Sequence, residues 1–257
     1  MSDFKTIATL ATYRPRFDKI VWQTVESLLP QCDEVHININ PPYTIAEKAA
    51  FVARRDKLNS LTGKENKGRV ILNFLQVDIG DLGKFYPLMV YYVHPESIIL
   101  TCDDDLIYPS DYAATILPRI YDRDAVLSFG GKRIYKKLPY DNWPNCIIDS
   151  TTIWIGSSHE KQVHIPMSGV SAFERWVLRP KLEIDVRYRN NADLQLALWA
   201  RQDKAEVICT HFARGWFDYD RYNQYMANQD TIWSEMNDSS KIQSKTAQLA
   251  TEVMQYL

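Results

Sequence analysis

The sequence predicts an α/β fold: a Rossmann-like, mostly parallel central sheet flanked by helices, then a sheet-rich second half and a helical C-terminal tail. Three observations predict it. Up to about residue 130, short apolar runs alternate with longer amphipathic ones. The connections between them are short, as in strand–helix–strand units. Beyond that point the runs shorten and polar turn residues separate them.

The elements follow in order. Thr6–Thr12 (TIATLAT) reads as a strand. Phe17–Leu29 places Ile20, Val21, Thr24 and Leu28 at helical spacing, and Pro30 closes it. Glu34–Ile39 is a second strand, Ile45–Leu61 a helix rich in Ala, Lys and Arg, and Arg69–Val77 a third strand. Lys84–Val93 reads as helical, and Ser97–Cys102 as an apolar fourth strand running straight into Asp103. Ser110–Tyr121 is a helix with Pro109 as its start signal, and Ala125–Phe129 a fifth strand. In the second half, Lys132–Tyr135, Thr151–Ile155 and Val163–Pro166 read as short strands. Asn191–Arg201 reads as a helix, Ala205–Cys209 as a strand, and the segment from Tyr219 onward as mostly helical. The expected organisation is one domain over 1–218 with a helical extension, 219–257, packed on it.

Composition narrows the function classes. The 257 residues are 46% hydrophobic and 24% charged, with a net charge of −2. That supports one sizeable core and excludes wholesale disorder. It also gives no general attraction for nucleic acid or anionic lipid. No run approaches the ~18 apolar residues of a membrane span. The start, Met1-Ser2-Asp3-Phe4-Lys5, lacks the basic and apolar regions of a signal peptide. Cys32, Cys102, Cys146 and Cys209 form no CxxC pair and read as buried reduced thiols. The expectation is a cytoplasmic chain.

In a parallel sheet, ligands bind beyond the carboxyl ends of the strands. Here those ends lead to Tyr13–Arg16, Asn38–Pro42, Asp78–Lys84 and Asp103–Asp105. Asp103-Asp104-Asp105 is the strongest signal. Adjacent carboxylates repel one another, and a hard divalent cation relieves that repulsion; Mg²⁺ or Mn²⁺ binds one or two carboxylates plus substrate phosphates. The competing reading is an acidic turn that caps the following helix. Asp78-Ile79-Gly80-Asp81-Leu82-Gly83-Lys84 offers close backbone approach and a lysine for a diphosphate, or else a solvated surface turn. It is not a Walker loop. Asn190-Asn191-Ala192-Asp193 places Asn191 as an N-cap and Asp193 in the first helical turn. Asp193 there serves either the helix dipole or a reaction as general base. Thr12-Tyr13-Arg14-Pro15-Arg16 sets an aromatic and two guanidinium groups where a nucleotide would lie, or forms an exposed basic loop. Of the five histidines, His211 is the candidate metal ligand, reaching across the sheet top.

Together these segments resemble a known family. The order TLATYRPR, LLPQCDEVHI, DIGDLGKFY, IILTCDDDLIYPSDY, HIPMSGVSAF and NNADLQLALWARQ is similar to nucleotide-sugar-dependent glycosyltransferases of the GT-A fold, over roughly residues 5 to 216. The likeness is to bacterial and phage-type, DxD-containing members. It implies that Asp103-Asp104-Asp105 is the DxD motif, with Asp103 and Asp104 on the donor and Asp103 and Asp105 on Mn²⁺ or Mg²⁺. It implies that Thr12, Tyr13 and Arg14 border the nucleotide, with Asn40 nearby and Lys84 near the base or diphosphate. Ser168 and Gly169 would lie under the sugar and acceptor, and Asp193 would occupy the place of the base in inverting members. Two departures stand out: Ala192-Asp193 where many members have Glu-Asp, and fewer glycines in Met167–Phe173.

The resulting expectation is a metal-dependent, inverting transfer of a sugar from a nucleoside-diphosphate donor, UDP-sugar favoured, to a hydroxyl. A glycan or lipid-linked saccharide is the leading acceptor. The basic run Lys132, Arg133, Lys136 and Lys137, with Trp143, Trp154, Trp176, Trp199 and Trp216 as stacking faces, keeps hydroxymethylated DNA bases open as an alternative. A sugar-nucleotide pyrophosphorylase and a non-catalytic carbohydrate- or nucleotide-binding relative are the others.

Overall fold

A computed structural model describes residues 4–17, 20–61, 69–90, 96–121, 123–135, 143–178, 184–218 and 240–256. The strands are β1 (Lys5–Thr12), β2 (Glu34–Ile39), β3 (Arg69–Phe74), β4 (Ser97–Cys102), β5 (Ala125–Ser128), β6 (Gly131–Ile134), β7 (Ile147–Thr151), β8 (Lys161–Gln162), β9 (Ile165–Pro166), β10 (Val170–Glu174) and β11 (Glu206–Cys209). The α-helices are α1 (Ile20–Leu28), α2 (Ile45–Leu61), α3 (Tyr86–Val90), α4 (Tyr112–Ile120), α5 (Ala192–Gln202) and α6 (Ser240–Met254).

Eight strands form one sheet in the order β3-β2-β1-β4-β10-β5-β11-β8. Strands β1 to β4 run parallel, with Ile7 opposite Glu34 and Ile99. Strand β10 is inserted antiparallel between β4 and β5, and β11 returns parallel to β5. Strands β7-β6-β9 make a smaller antiparallel sheet.

Strand alternation divides the core between the two faces. Ala8, Leu10, Ile98, Leu100 and Leu127 pack with Val21, Val25 and Leu28 of α1, Phe51 of α2 and Ile116 of α4. Ile7, Ile99, Val126 and Phe173 pack on the other side with Phe85, Leu196 and Trp199 of the 80–85 turn and α5. Helix α6 closes that side through Ala247, Ala250, Val253 and Met254. Among the described residues no helix is long and apolar enough to cross a membrane.

Several elements differ from the sequence expectation. Strand β3 stops at Phe74, where its pairing with Ile39 ends, and Val77 is exposed. Gly80–Phe85 forms a 3₁₀ turn ahead of α3, so Lys84 precedes the α-helix rather than starting it. The strand read at Thr151–Ile155 lies earlier, at β7; Ile155 N donates to Thr152 O across a turn. Of the run Val163–Pro166, Ile165–Pro166 forms β9, while β8 lies just ahead of it at Lys161–Gln162. Val170–Glu174, read as part of a loop, is a strand buried throughout. Of the expected helical tail, residues 219–239 lie outside the described residues.

Candidate active site

The antiparallel insertion of β10 decides the site. Because β10 begins where β4 ends, Val170 pairs with Cys102, and the preceding Ser168-Gly169 meets the acidic turn after β4. A Cβ on Gly169 would stand 1.9 Å from Asp103 Oδ2, so a larger residue here would displace the Asp103 carboxyl.

Two buried cations hold the three carboxylates. Arg16, 7% exposed, hydrogen-bonds Asp104 through Nη1, which also lies 3.0 Å from Asp105 Oδ2. Lys84 Nζ is 2.5 Å from Asp103 Oδ1 and 3.4 Å from Ser168 Oγ. Thr9 Oγ1 fixes the lysine backbone by donating to its carbonyl. Thr24 Oγ1 likewise donates to the Asp104 carbonyl, tying the turn to α1. Burial works against a charged Lys84, but Asp103, Asp81 and Asp193 outweigh it and hold it protonated beyond the ordinary lysine range. Burial also pushes Asp105 up to about 7, aided by Asp103 and Asp104 and opposed by Arg16.

Asp193 stands on the other side of Ser168. Its Oδ1 accepts from Ser168 N and Ser168 Oγ, both at 2.8 Å. Its Oδ2 lies 3.4 Å from Lys132 Nζ, and the carboxyl remains 35% exposed. Asp193 lies in the first turn of α5. Asn191 stands at the N-cap of α5, as the sequence predicts, and Leu194 N and Gln195 N donate to its carbonyl. The Asn191 side chain makes no cap bond; it donates to Arg189 O and accepts from Thr246 Oγ1. Asp81 Oδ2 instead accepts from Ala192 N at 2.9 Å, reaching over from the 80–85 turn. Asp81 thereby joins the Lys84 turn to the helix that carries Asp193, a link sequence spacing does not reveal.

Asp81 gives a stability prediction. Burial pushes it up to about 6, against the pull of Lys84 and the Ala192 amide. Its folded pKa is therefore above its unfolded value. The folded state binds more protons between about pH 4 and 6, so its contribution to stability falls as pH rises through that window. Asp81→Asn is expected to remove this fall. Urea denaturation from pH 4 to 7 should show the wild-type-minus-variant stability dropping by as much as about 3 kcal/mol. A difference that stays flat with pH contradicts the assignment.

The residues fit a cation shared with a ligand. Asp81, Asp103, Asp104, Asp105 and Asp193 face Arg16, Lys84 and Lys132, leaving two more carboxylates than cations. Asp104 Oδ2 is buried without a hydrogen-bond partner among the described residues. Oxygen donors suit Mg²⁺ or Mn²⁺. Among the described residues no three His, Cys, Asp or Glu side chains form a complete metal cage. Ions of this kind take part of their coordination from water and substrate phosphate.

The remaining candidates divide. Thr12 is buried at the end of β1, with Oγ1 lacking a partner among the described residues. The Tyr13 ring lies 5.0 Å from the Arg16 guanidinium carbon, which ties it to the acidic turn. Arg14 turns away to Glu47 of α2, at 3.0 Å. Asn40 is buried; it donates to Thr12 O and Gly80 O and accepts from Ile79 N, bracing the 78–84 turn against β1. His211, the further metal candidate, follows β11. It is exposed, and its Nε2 lies 3.0 Å from Arg119 Nη2. Strand β11 is separated from β4 by β10 and β5, about 14 Å across the sheet at ~4.8 Å per strand.

The nucleic-acid features are largely used internally. Lys132 faces Asp193, and Arg133 pairs with Asp149; Lys136 and Lys137 lie outside the described residues. Trp143 and Trp199 are buried, while Trp216 packs on Phe129 and donates to Asp111. Trp176 is exposed but follows β10 at the opposite end of the sheet from Asp103.

No family model and no curated protein sequence matches the chain. Among solved structures it is similar to GalNAc-T7, crystallised with UDP, GalNAc and Mn²⁺, with a TM-score of 0.51 and 12% identity. The match covers 83% of this chain and 45% of that one, so this chain spans less than half the neighbour's length. The likeness is one of fold, and the architecture described above is consistent with a GT-A-like fold.

Proposed function

We propose that the chain is a divalent-cation-dependent glycosyltransferase that moves a sugar from a nucleoside-diphosphate donor, UDP-sugar preferred, to a saccharide hydroxyl with inversion. One observation carries the reading. At a single sheet end, an acidic turn and a helix-borne carboxylate face each other across Ser168, with Lys84 between them. The GT-A-like architecture supports it, as does a fold neighbour that binds UDP and Mn²⁺.

In this reading Asp103 and Asp105 would hold Mn²⁺ or Mg²⁺, which when bound would supply charge neutralisation for a diphosphate leaving group. Arg16 and Lys84 keep the carboxylates in place while the ligand is absent. Ser168 fixes one oxygen of Asp193, and Oδ2, which faces Lys132 Nζ at 3.4 Å, is the oxygen that takes the acceptor hydroxyl's proton. Asp193 lies across Ser168 from Asp103, so the acceptor attacks from the side opposite the leaving group.

Thermal unfolding against UDP-, GDP-, CDP- and TDP-sugars tests the reading. At a hundredfold excess over Kd a ligand adds about 2.7 kcal/mol, which for a chain of this size raises Tm by about 5–11 °C. The expected result is such a rise with a UDP-sugar, only when Mn²⁺ or Mg²⁺ is present. No response to any nucleotide sugar rejects the proposal. Pyrophosphate-driven release of sugar 1-phosphate would reassign the chain to pyrophosphorylase chemistry. Binding without transfer or hydrolysis would make it a non-catalytic relative.

A further inference from the structure

We propose that the Tyr108 hydroxyl is a spacer that holds β4 and β10 apart at the mouth of the site, making Tyr108 a positioning residue for Asp103; for its effect on activity this rests on the glycosyltransferase reading. The register of the two strands ends at Val170 and Cys102. One step further stand Gly169 and Asp103, and the Tyr108 hydroxyl sits between them. It accepts from Asp103 N at 2.8 Å and donates to Gly169 O at 2.5 Å. A hydroxyl thus occupies the place of the next rung and satisfies both backbone groups.

The ring cannot drift. Tyr108 is 3% exposed and packs edge-on against Tyr112, with ring centroids 4.8 Å apart, and against Phe217 at 6.0 Å. The phenol stays protonated, because burial raises its pKa well beyond the ordinary range, so it remains able to donate. What the spacer sets is the position of Asp103. One side of that carboxyl presses on Gly169 and the other meets Lys84, which leads to Ser168. Without the hydroxyl, Asp103 N and Gly169 O can approach and pair directly, and the strands close on the space that Asp103 occupies.

Tyr108→Phe keeps the ring and removes the spacer. Two readouts on the full chain separate the possibilities. Calorimetry with UDP and Mn²⁺ is expected to show roughly tenfold weaker binding than wild type. Hydrogen exchange across residues 100–106 and 167–171 is expected to change in Tyr108→Phe. Gly169→Ala, which drives a methyl into the Asp103 carboxyl, should weaken UDP–Mn²⁺ binding likewise and supplies the test should Tyr108→Phe fail to fold. Unchanged exchange and unchanged binding in Tyr108→Phe overturn the proposal. If the wild-type chain binds no nucleotide, the glycosyltransferase reading fails, and exchange at Asp103 alone decides the spacer: altered exchange supports it, unchanged exchange overturns it.

Discussion

Lys84→Met is expected to lower stability by about 3–5 kcal/mol, the cost of breaking a buried ion pair by removing one partner. For a chain of this size that is a fall in Tm of roughly 6–20 °C. Methionine keeps most of the volume, so packing contributes little to the loss. The charge contributes most of it, because Lys84 is 3% exposed at its side chain and sits among Asp103, Asp81 and Asp193. Asp103, 41% exposed, can turn to water when its partner goes. Asp81 cannot, since its Oδ1 is fully enclosed. Two consequences distinguish this account from a general loss of packing. Adding Asp81→Asn to Lys84→Met should recover a kcal/mol or more, as expected for groups that share one interaction. The variant should also lose less stability at about pH 5 than at pH 7.5, because the carboxylates left behind can protonate. Denaturation of the single and double variants at both pH values is the measurement. A loss under about 1 kcal/mol, typical of an exposed pair, would mean that the lysine is solvated in solution.

Lys84 also shows how far the sequence could be read. Its motif, the turn with two glycines, was legible, and so was a strand delivering three aspartates to the sheet mouth. Both follow from local pattern: apolar runs of the right length, interrupted where glycine, proline or adjacent carboxylates stop them. The parallel half was therefore readable strand by strand. The second half was not, because its key element breaks the alternation rule. Strand β10 is a five-residue run buried on both faces and inserted between strands that are distant in sequence. Nothing local announces that placement, yet it is what brings Ser168 and Gly169 against Asp103. The same limit explains Asp81 and Tyr108. Each acts on a backbone group far along the chain, Ala192 N for one and Gly169 O for the other. Asn191 holds the N-cap position that local pattern predicts, but the side-chain bond to the first helical amide comes from distant Asp81. His211 is a candidate of another kind. Its residue type suited a metal, but three strand spacings separate it from the acidic turn.

Asp193→Asn is expected to reduce sugar transfer by about 10²–10⁴-fold while leaving donor binding within twofold of wild type. The separation of effects follows from the geometry. Asparagine retains a carbonyl oxygen, so both bonds from Ser168 persist and the 168–169 segment keeps its place beside Asp103. The atom at the Oδ2 position, however, becomes an amide nitrogen that takes no proton. The acceptor hydroxyl then attacks without a base, and the barrier rises at the step where its O–H bond breaks. The variant should therefore show an undiminished thermal shift with UDP-sugar and Mn²⁺, an unchanged KM for donor and a collapsed kcat. Proton NMR of the wild-type product should show the anomeric configuration opposite to the donor's, since a single base-assisted displacement inverts the carbon. Retained configuration would require a nucleophile on the donor side and would remove Asp193 from the base position. Full turnover by the asparagine variant would do the same, because Oδ2 is the one oxygen of this carboxylate left by Ser168 to face an acceptor.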